Sequence, residues 1–185
     1  RNIDNPGELG GIKGNISLYQ LEVRDHQQIL ELADQFFDRE LDLLIHNAGV
    51  YGDSLGYEDV MAINSVAPFN VIKALLPAIL RGKTKKIAIL TSQMGARNGG
   101  ATPSGVYGES KCALNDRFRE IELSWRNSGI SAIVFHPGWV ATDMGGKGAP
   151  VSIEESVAGM QAQIELMNLR NGGSFLTWKG ERHPW

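Results

Sequence analysis

Short apolar runs alternate with longer helical stretches along the chain, and this alternation constrains the fold more than any other feature. Residues 41–46, 86–91 and 130–135 are brief runs rich in Ile, Leu and Val that stop at polar or glycine-containing turns. Further β-prone runs lie at 16–23 and 174–177, and apolar periodicity predicts helices at about 26–37, 57–81, 106–127 and 152–168. Because the connections are long enough for helical crossovers, the sequence predicts an α/β fold with a doubly wound parallel sheet.

The net charge and the composition of the chain argue against several function classes. The 185 residues carry a formal net charge of -3, which gives no bulk electrostatic reason to bind nucleic acid or an anionic membrane. No run of about 18 apolar residues predicts a membrane span. The single cysteine, Cys112, cannot form a disulfide within the chain, which is typical of a reducing compartment such as the cytoplasm. No linker or repeat divides the sequence, and its histidines lack metal-ligand spacing, so we expect one domain over 1–185 and no metal.

Two polar motifs follow the predicted strand 86–91. Tyr107 and Lys111 lie four residues apart, so on a helix they share a face and can point into one site. A phenol has an unperturbed pKa near 10, and a neighbouring ammonium group lowers it toward the range useful for acid-base chemistry. Ser92 comes directly after the strand, where open α/β sheets place ligands, and could hold a carbonyl oxygen or simply cap a turn.

Two further motifs follow the neighbouring strands. The segment His46-Asn47-Ala48-Gly49-Val50 has small residues that let a ligand approach the backbone, although a tight strand-to-loop turn would need them too. The segment His136-Pro137-Gly138-Trp139-Val140-Ala141-Thr142 begins with a turn and leads into a glycine-rich stretch, 143–150, that could cover a cofactor.

The order of these motifs along the chain resembles the motif set of the short-chain dehydrogenase/reductase family, and the resemblance covers essentially the whole chain. The motifs are, in order, Asn47-Ala48-Gly49, Asn64, Ser92, Tyr107-x-x-x-Lys111 and Pro137-Gly138. Four segments are most similar to the family's C-factor/sniffer-like carbonyl reductase branch: HNAGV, TSQMG, YGESKCALN and NGGSFLTWKGERHPW. The resemblance implies a three-layer Rossmann-type sheet. It also implies an NAD(P)(H)-dependent oxidoreductase that transfers a hydride between nicotinamide and a carbonyl or secondary alcohol substrate.

The resemblance also assigns roles to individual residues. Tyr107 matches the general acid-base, Lys111 the lysine that lowers its pKa and holds the nicotinamide ribose, and Ser92 the serine that orients the substrate carbonyl. Asn64 matches the asparagine that anchors a proton-relay water; from the residues alone it would be a buried helix-bending residue. Besides Tyr107 and Lys111, the positions that match cofactor contacts are Arg1 at the 2′-phosphate, Glu22, Val23, Asn47, Ala48 and Gly49 at the adenosine, and Pro137, Gly138, Val140 and Thr142 in the strip at the nicotinamide. Candidate walls of the substrate pocket are Met94, Trp139 and Met144, for which ordinary packing is an equal alternative.

The sequence departs from the family at its beginning. We find no counterpart of the family's first strand, Thr-Gly-x-x-x-Gly-x-Gly loop, first helix and most of its second strand, and expect about 30–40 further residues, one βαβ opening unit, in the natural protein. In the family's sheet order the two absent strands lie between the runs 16–23 and 41–46. We therefore expect the first run to lack a partner and the second to form an exposed apolar edge.

The choice of cofactor, the catalytic activity and the oligomeric state stay open at this point. NADP is favoured over NAD because Arg1 resembles a residue that binds the 2′-phosphate. The absent phosphate-binding loop allows a non-catalytic binding or signalling module on a reductase scaffold, or a fragment that assembles with another chain. Helices 57–81 and 106–127 match the family's usual dimer surface, so a homodimer is possible.

Overall fold

Four parallel strands form the centre of the molecule. The structure, a computed structural model, describes residues 11–52, 54–98 and 105–185. The strands are β1 (Leu43–His46), β2 (Lys86–Leu90), β3 (Ser131–His136) and β4 (Ser174–Thr177), paired in the order β1-β2-β3-β4. Every pair is parallel, with Ile45 opposite Ala88 and Ala88 opposite Ile133. The predicted α/β class with a doubly wound, Rossmann-type sheet is thereby confirmed.

In the described part of the chain, four long helices connect and cover these strands: α1 (His26–Asp34), α2 (Tyr57–Arg81), α3 (Gly105–Asn127) and α4 (Ile153–Leu166). Their starts follow local capping chemistry. The predicted N-cap Asp25 accepts hydrogen bonds from the main-chain N–H groups of Gln27 and Gln28, and Ser152 forms a capping box with Glu155. Because these bonds satisfy N–H groups that have no partner inside the helix, they fix where α1 and α4 begin.

The sheet buries side chains on both faces, which explains why its strands are almost wholly apolar. On one face Ile87, Ile89 and Val134 pack in a cluster with side chains of α1, α2 and α3 such as Ile72 and Phe118. On the other face the alternate residues pack with Met160, Ile164 and Met167 of α4 and its end; these strand residues are Ala88, Ile133, Phe135 and Leu176. Two cores therefore hold the sheet between two helical layers.

The predicted strand at 16–23 is wrong: these residues form no strand. Ile16 and Leu18 are 44% and 40% exposed. No strand among the described residues lies beside this run, and an extended segment without a partner leaves its backbone groups to water. Leu21 packs at the edge of the core, and the Tyr19 ring lies 5.8 Å from the Phe36 ring.

The edge of the sheet at β1 is apolar and open, as expected. Ile45 is 49% exposed, whereas Ile89 on the neighbouring strand is fully buried. The two side chains lie on opposite faces of the sheet, since Ile45 is opposite Ala88 on the α4 face, and β1 has a strand on only one side among the described residues. The free edge presents main-chain groups that can pair with another strand.

Helix α2 is long and apolar enough to meet the composition test for a membrane span, with a mean hydropathy of 1.5 over an 18-residue window. In this fold 56% of that window is buried inside the molecule. Core helices of globular proteins often have this composition, so the helix is weak support for a membrane location.

Candidate active site

The polar residues singled out by sequence gather at the carboxyl ends of β1, β2 and β3. Ser92 follows β2, Asn47–Gly49 follow β1, and Pro137 and Gly138 follow β3. Because all the strands are parallel, these ends lie along one edge of the sheet. The topology therefore brings together residues separated by up to about ninety positions in sequence.

Tyr107 and Lys111 lie on consecutive turns at the start of α3. Lys111 is only 4% exposed, and its Nζ donates a hydrogen bond to the Leu90 carbonyl oxygen at 3.1 Å. The same Nζ lies 5.8 Å from the centroid of the Tyr107 ring. Burial lowers the pKa of Lys111 to about 8. The sequence prediction that these two side chains meet is thus correct in geometry.

Ser92 joins the same group from the end of β2. It caps a short 3-10 turn, Gln93–Gly95, where its Oγ accepts a hydrogen bond from the Met94 N–H at 3.1 Å. Its side chain is also close enough to the Tyr107 phenol to act on that group's pKa by hydrogen bonding. The capping role and the site role proposed for Ser92 are therefore compatible, since one hydroxyl can accept and donate.

The acidity of Tyr107 differs from the expectation. Burial raises the pKa of the phenol above its ordinary value of 10, and the Ser92 hydrogen bond opposes this only in part. The ammonium of Lys111 lies over the ring, bonded to Leu90, and the predicted lowering of the tyrosine pKa by the lysine is not found. The phenol is consequently protonated at neutral pH.

Asn64 occupies a π-helical turn, Ala62–Val66, inside α2, and its side chain is fully buried. Its Oδ1 accepts from the Val50 N–H at 2.9 Å, and its Nδ2 donates to the Val50 carbonyl at 2.8 Å and to Ser110 Oγ at 2.9 Å. Both ends of the amide thus tie the loop after β1 to α2 and α3. π-Helical turns are common at functional sites, and the interpretation of Asn64 as a helix-distorting residue agrees with this geometry.

Gly49 lies directly against these groups. A Cβ built on it would be 3.3 Å from Asn64 Oδ1 and 3.5 Å from Lys111 Nζ, so a larger residue would crowd both. The preceding Asn47 and Ala48 are exposed. The small residues of the HNAGV segment therefore serve close packing at Gly49 and leave an open surface at Asn47 and Ala48.

Asn115 is a supporting residue that sequence reasoning missed. It accepts a hydrogen bond from Thr91 Oγ1 at 2.7 Å and donates to the Gly95 carbonyl at 3.0 Å, binding the end of β2 and the 3-10 turn to α3. The spacing Tyr107, Lys111, Asn115 continues one helix face and was the signal that could have identified it. Ser110, also missed, links Asn64 to the Tyr107 carbonyl, to which it donates at 2.7 Å.

Tyr51 is a third missed residue, and its ring contacts that of the candidate acid itself. Its ring centroid lies 4.9 Å from that of Tyr107, with the planes tilted by 30°. Offset aromatic contact of this kind is favourable, and it restricts the orientation of the Tyr107 ring. Tyr51 is 47% exposed, so it also forms part of the surface beside the site.

The segment after β3 is an ordered loop. Ser156 Oγ donates to the Pro137 carbonyl at 2.7 Å, and Gly138 has a φ of +92° with the Trp178 indole where a Cβ would lie. Val140 pairs with Val151. Thr142 Oγ1 accepts from the Gly145 N–H at 3.2 Å, which holds the glycine-rich stretch in place.

The candidate substrate walls differ in exposure. Trp139 and Met144 are 58% and 50% exposed at the rim of this loop, and the Trp139 indole donates to the Gly145 carbonyl at 2.8 Å. Met94 is half-buried in the 3-10 turn. Two of the three therefore offer apolar surface to solvent next to the proposed cofactor strip.

Of the predicted adenosine contacts, Gly49 packs against this buried group, whereas Glu22 bonds outside it. Glu22 is exposed and bonds to the Arg24 guanidinium, which holds the pKa of the Glu22 carboxyl below its ordinary value. Arg24 also donates to Asp59 of α2 at 2.7 Å. Val23, which lies between Glu22 and Arg24 in sequence, is half-buried. Arg1 lies outside the described residues.

Two histidines at strand ends have buried ring nitrogens without a partner among the described residues, His46 Nε2 and His136 Nδ1. Burial lowers the pKa of each to about 4, so both rings are neutral at pH 7. Buried polar atoms are normally bonded, and these two lie at the ends of β1 and β3, along the same edge as Ser92. Among the described residues no cluster of His, Cys, Asp and Glu could hold a metal ion.

Comparison with known proteins agrees with this arrangement. A family model described as short chain dehydrogenase matches residues 4–150. The C-signal of Myxococcus xanthus is 36% identical over 157 residues, which cover 78% of this chain and 93% of that protein.

Two solved structures share the fold. The NADPH-bound carbonyl reductase from chicken fatty liver is 29% identical and superimposes with a TM-score of 0.81, covering 92% of this chain and 78% of its own. The carbonyl reductase Sniffer of D. melanogaster is 25% identical with a TM-score of 0.85, covering 96% of this chain and 82% of its own.

Proposed function

We propose that this chain, which belongs to the short-chain dehydrogenase family, is an NADP(H)-preferring reductase of small carbonyl compounds that also oxidises the corresponding alcohols. The observation that carries the proposal is the buried contact between Ser92, Tyr107 and Lys111 at the carboxyl edge of the sheet. A binding module would not need an acid, a hydrogen-bond donor and an ammonium group packed together in this way.

The chain's residues fit the nicotinamide end of a dinucleotide. Lys111 has three N–H donors, of which one reaches Leu90, so others can bond to ribose hydroxyls. Gly49 keeps the space over Lys111 free of a side chain. The unbonded nitrogens of His46 and His136 lie at strand ends on either side of β2 and can serve polar groups there. Pro137, Gly138, Val140 and Thr142 would contact the nicotinamide and its carboxamide.

When bound, the cofactor supplies or takes up the hydride. Ser92 and Tyr107 donate hydrogen bonds to the substrate oxygen, and these donors are in place before charge develops on it. Tyr107, whose raised pKa keeps the phenol protonated at neutral pH, transfers its proton to that oxygen in the reductive direction. Lys111 and Asn64 would then resupply the proton to Tyr107, Asn64 by anchoring a relay water.

The finer assignments are parts of the same proposal. The preference for NADP is supported by the NADPH-bound chicken neighbour, while Arg1 as its determinant stays a prediction from sequence. The substrate is a small molecule, with Met94, Trp139 and Met144 as walls of its pocket. A cytoplasmic location, a single domain, a homodimer through α2 and α3, and the absence of nucleic-acid and membrane partners also remain predictions.

Two titrations test the proposal. NADPH and NADH are added separately to the purified chain while cofactor fluorescence is followed, and benzaldehyde is then added to the saturated mixture. We expect saturable binding that is tighter for NADPH, and consumption of NADPH only after the aldehyde is added. A folded chain that binds both cofactors but consumes neither with any aldehyde or ketone would favour the non-catalytic alternative.

A further inference from the structure

The segment that follows β4 turns back along it. The Thr177 N–H donates to the Glu181 carbonyl at 2.9 Å, Leu176 pairs with Arg182 as an antiparallel bridge, and the His183 N–H donates to the Phe175 carbonyl at 2.8 Å. These bonds satisfy the outer edge of β4, which is the opposite edge of the sheet from β1. They also direct Trp185 back over the molecule.

Trp185 ends this return segment in an aromatic cluster. Its ring centroid lies 6.0 Å from Phe118 of α3 and 5.5 Å from Phe175 of β4, and the Arg119 guanidinium lies 5.5 Å from the ring. Phe118 and Phe175 are 0% and 2% exposed. Rigid, deeply buried partners on two different elements therefore fix the position of the indole.

The main chain of Trp185 reaches the substrate side of the candidate site. The Asn98 N–H donates to the Trp185 main-chain oxygen at 2.7 Å. Asn98 lies at the end of the turn that begins with Ser92 and contains Met94. One residue earlier, Arg97 forms an ion pair with Asp116 of α3.

The turn 92–98 is therefore held at both ends by different means. Its beginning is fixed internally, by the Ser92 cap and by Asn115 bonded to the Gly95 carbonyl. Its end is fixed externally, by the exposed Arg97–Asp116 pair and by Trp185. Exposed ion pairs stabilise little on their own, so the anchored main chain of Trp185 is the firmer of the two outer restraints.

We propose that Trp185 is a positioning residue for the substrate side of the active site. It acts through Asn98 on the turn that carries Ser92 and Met94, so that the far end of the chain sets how the carbonyl compound is oriented. The residue touches neither substrate nor cofactor. This inference rests on the proposed reductase function.

The physical consequence is a loss of orientation rather than of chemistry. Without the indole, the Trp185 main chain is no longer held against Phe118 and Phe175, and Asn98 loses a fixed acceptor. Small displacements of binding groups lower productive orientation of a substrate by as much as about a hundredfold. The acid Tyr107 and the Lys111 ammonium, held by α3 and Leu90, are unaffected.

The test compares Trp185→Ala and Trp185→Phe with wild type in the reduction of acetophenone, a prochiral ketone, by NADPH. For Trp185→Ala we expect kcat/KM to fall about tenfold to a hundredfold with most of the change in KM, and the ratio of the two alcohol enantiomers to move toward unity. The Kd for NADPH should stay within about twofold. Trp185→Phe, which keeps a ring against Phe118 and Phe175, should recover most of the enantiomer ratio.

Phe36→Ala is the matched control. It also removes a half-buried aromatic ring packed at the edge of the core, but beside Tyr19 and Arg39, remote from the turn 92–98. A general loss of stability lowers the amount of folded enzyme in both variants and leaves the enantiomer ratio of the folded fraction unchanged. An equal change in ratio for Phe36→Ala, or none for Trp185→Ala, would overturn the proposal.

Hydrogen exchange separates this proposal from the proposed function. In wild type we expect the Asn98 amide to be protected. In Trp185→Ala we expect its exchange rate to increase at least about tenfold more than the exchange rates of the β3 amides do. If the Asn98 amide exchanges faster in Trp185→Ala but the protein reduces no ketone, the reductase function is refuted and the restraint of the turn by Trp185 stands. An active enzyme whose Asn98 amide and enantiomer ratio are both unchanged in Trp185→Ala would refute the restraint alone.

Discussion

Strands β1 and β2 are built from the same kinds of residues but differ sharply in how well they are buried. Ile89 of β2 is 0% exposed, while Ile45 of β1 is 49% exposed. In a parallel sheet a side chain is covered by helices above it and by strands on both sides, and β1 has a strand on one side only among the described residues. Burial here depends on neighbours more than on residue type.

The candidate site follows the same division. Around β2, Asn64, Lys111 and Ser92 are 0%, 4% and 7% exposed, and each is hydrogen-bonded within the fold. Near β1, Asn47, Ala48 and Glu22 are exposed, and they are the residues proposed to meet the adenosine end of the cofactor. The chain therefore presents a tightly built reacting end and an open adenosine end.

Removing the phenol of Tyr107 is expected to have the largest effect at the tightly built end. Tyr107→Phe keeps the ring against Tyr51 and removes the proton donor, so carbonyl reduction should slow by about a hundredfold to ten-thousandfold with circular dichroism unchanged. Steady-state rates at saturating NADPH measure the effect. Tyr51→Phe, which removes the neighbouring phenol and keeps the same ring contact, should cost less than about fivefold; equal losses for both would contradict the assignment of Tyr107.

Matched truncations of the two isoleucines break the comparison between the strands directly. Ile89→Ala should lower the free energy of unfolding by about 2–5 kcal/mol because it opens a cavity in a closed core. Ile45→Ala should cost about 1 kcal/mol, since half of that side chain is already exposed. Urea denaturation of both variants gives the values. A cost at Ile45 as large as at Ile89 would mean that the β1 edge is covered in solution.

The pH dependence of stability tests the burial of Lys111. Its pKa is about 8 in the fold and 10.5 in its ordinary state, so between these values the unfolded chain binds more protons. Stability without cofactor should therefore rise with pH across this window, by about 3 kcal/mol in total. Lys111→Met should abolish the rise. If stability rises by the same amount in Lys111→Met, another titrating group causes the rise.

The histidine at the end of β1 gives an acidic counterpart to the Lys111 effect. His46 has a pKa of about 4 in the fold and 6.5 in its ordinary state, so the folded chain loses stability as pH falls from 6.5 toward 4. His136 contributes in the same window. In His46→Asn the loss should shrink by about 3 kcal/mol, measured by denaturation at several pH values, and an unchanged acid slope would show that the His46 ring reaches solvent.

The sequence predicted the elements that have a local signal. The apolar runs at 41–46, 86–91 and 130–135 became β1, β2 and β3, and the four-residue spacing of Tyr107 and Lys111 correctly predicted a shared face on α3. The run 16–23 has an equally β-prone composition and formed no strand, because pairing needs a neighbour that local composition does not report.

The parts that sequence reasoning missed depend on contacts between distant elements. Asn115 and Ser110 are ordinary polar residues of a helix until Gly95 and Asn64 are placed against them. Tyr51 gains its importance only from the tilt of its ring on Tyr107. The acidity of Tyr107 was also predicted with the wrong sign, since the spacing indicated a nearby ammonium group but not how deeply the phenol is buried.

The central claim is that this chain moves a hydride between nicotinamide and a carbonyl carbon, and isotope transfer tests it most directly. NADPH carrying deuterium at the transferable position of the nicotinamide is incubated with the chain and benzaldehyde, and the benzyl alcohol is analysed by mass spectrometry. The account predicts one deuterium on the carbinol carbon with wild type, and product reduced to background with Tyr107→Phe. Alcohol formed without deuterium, or no alcohol from a folded chain that binds NADPH, would contradict it.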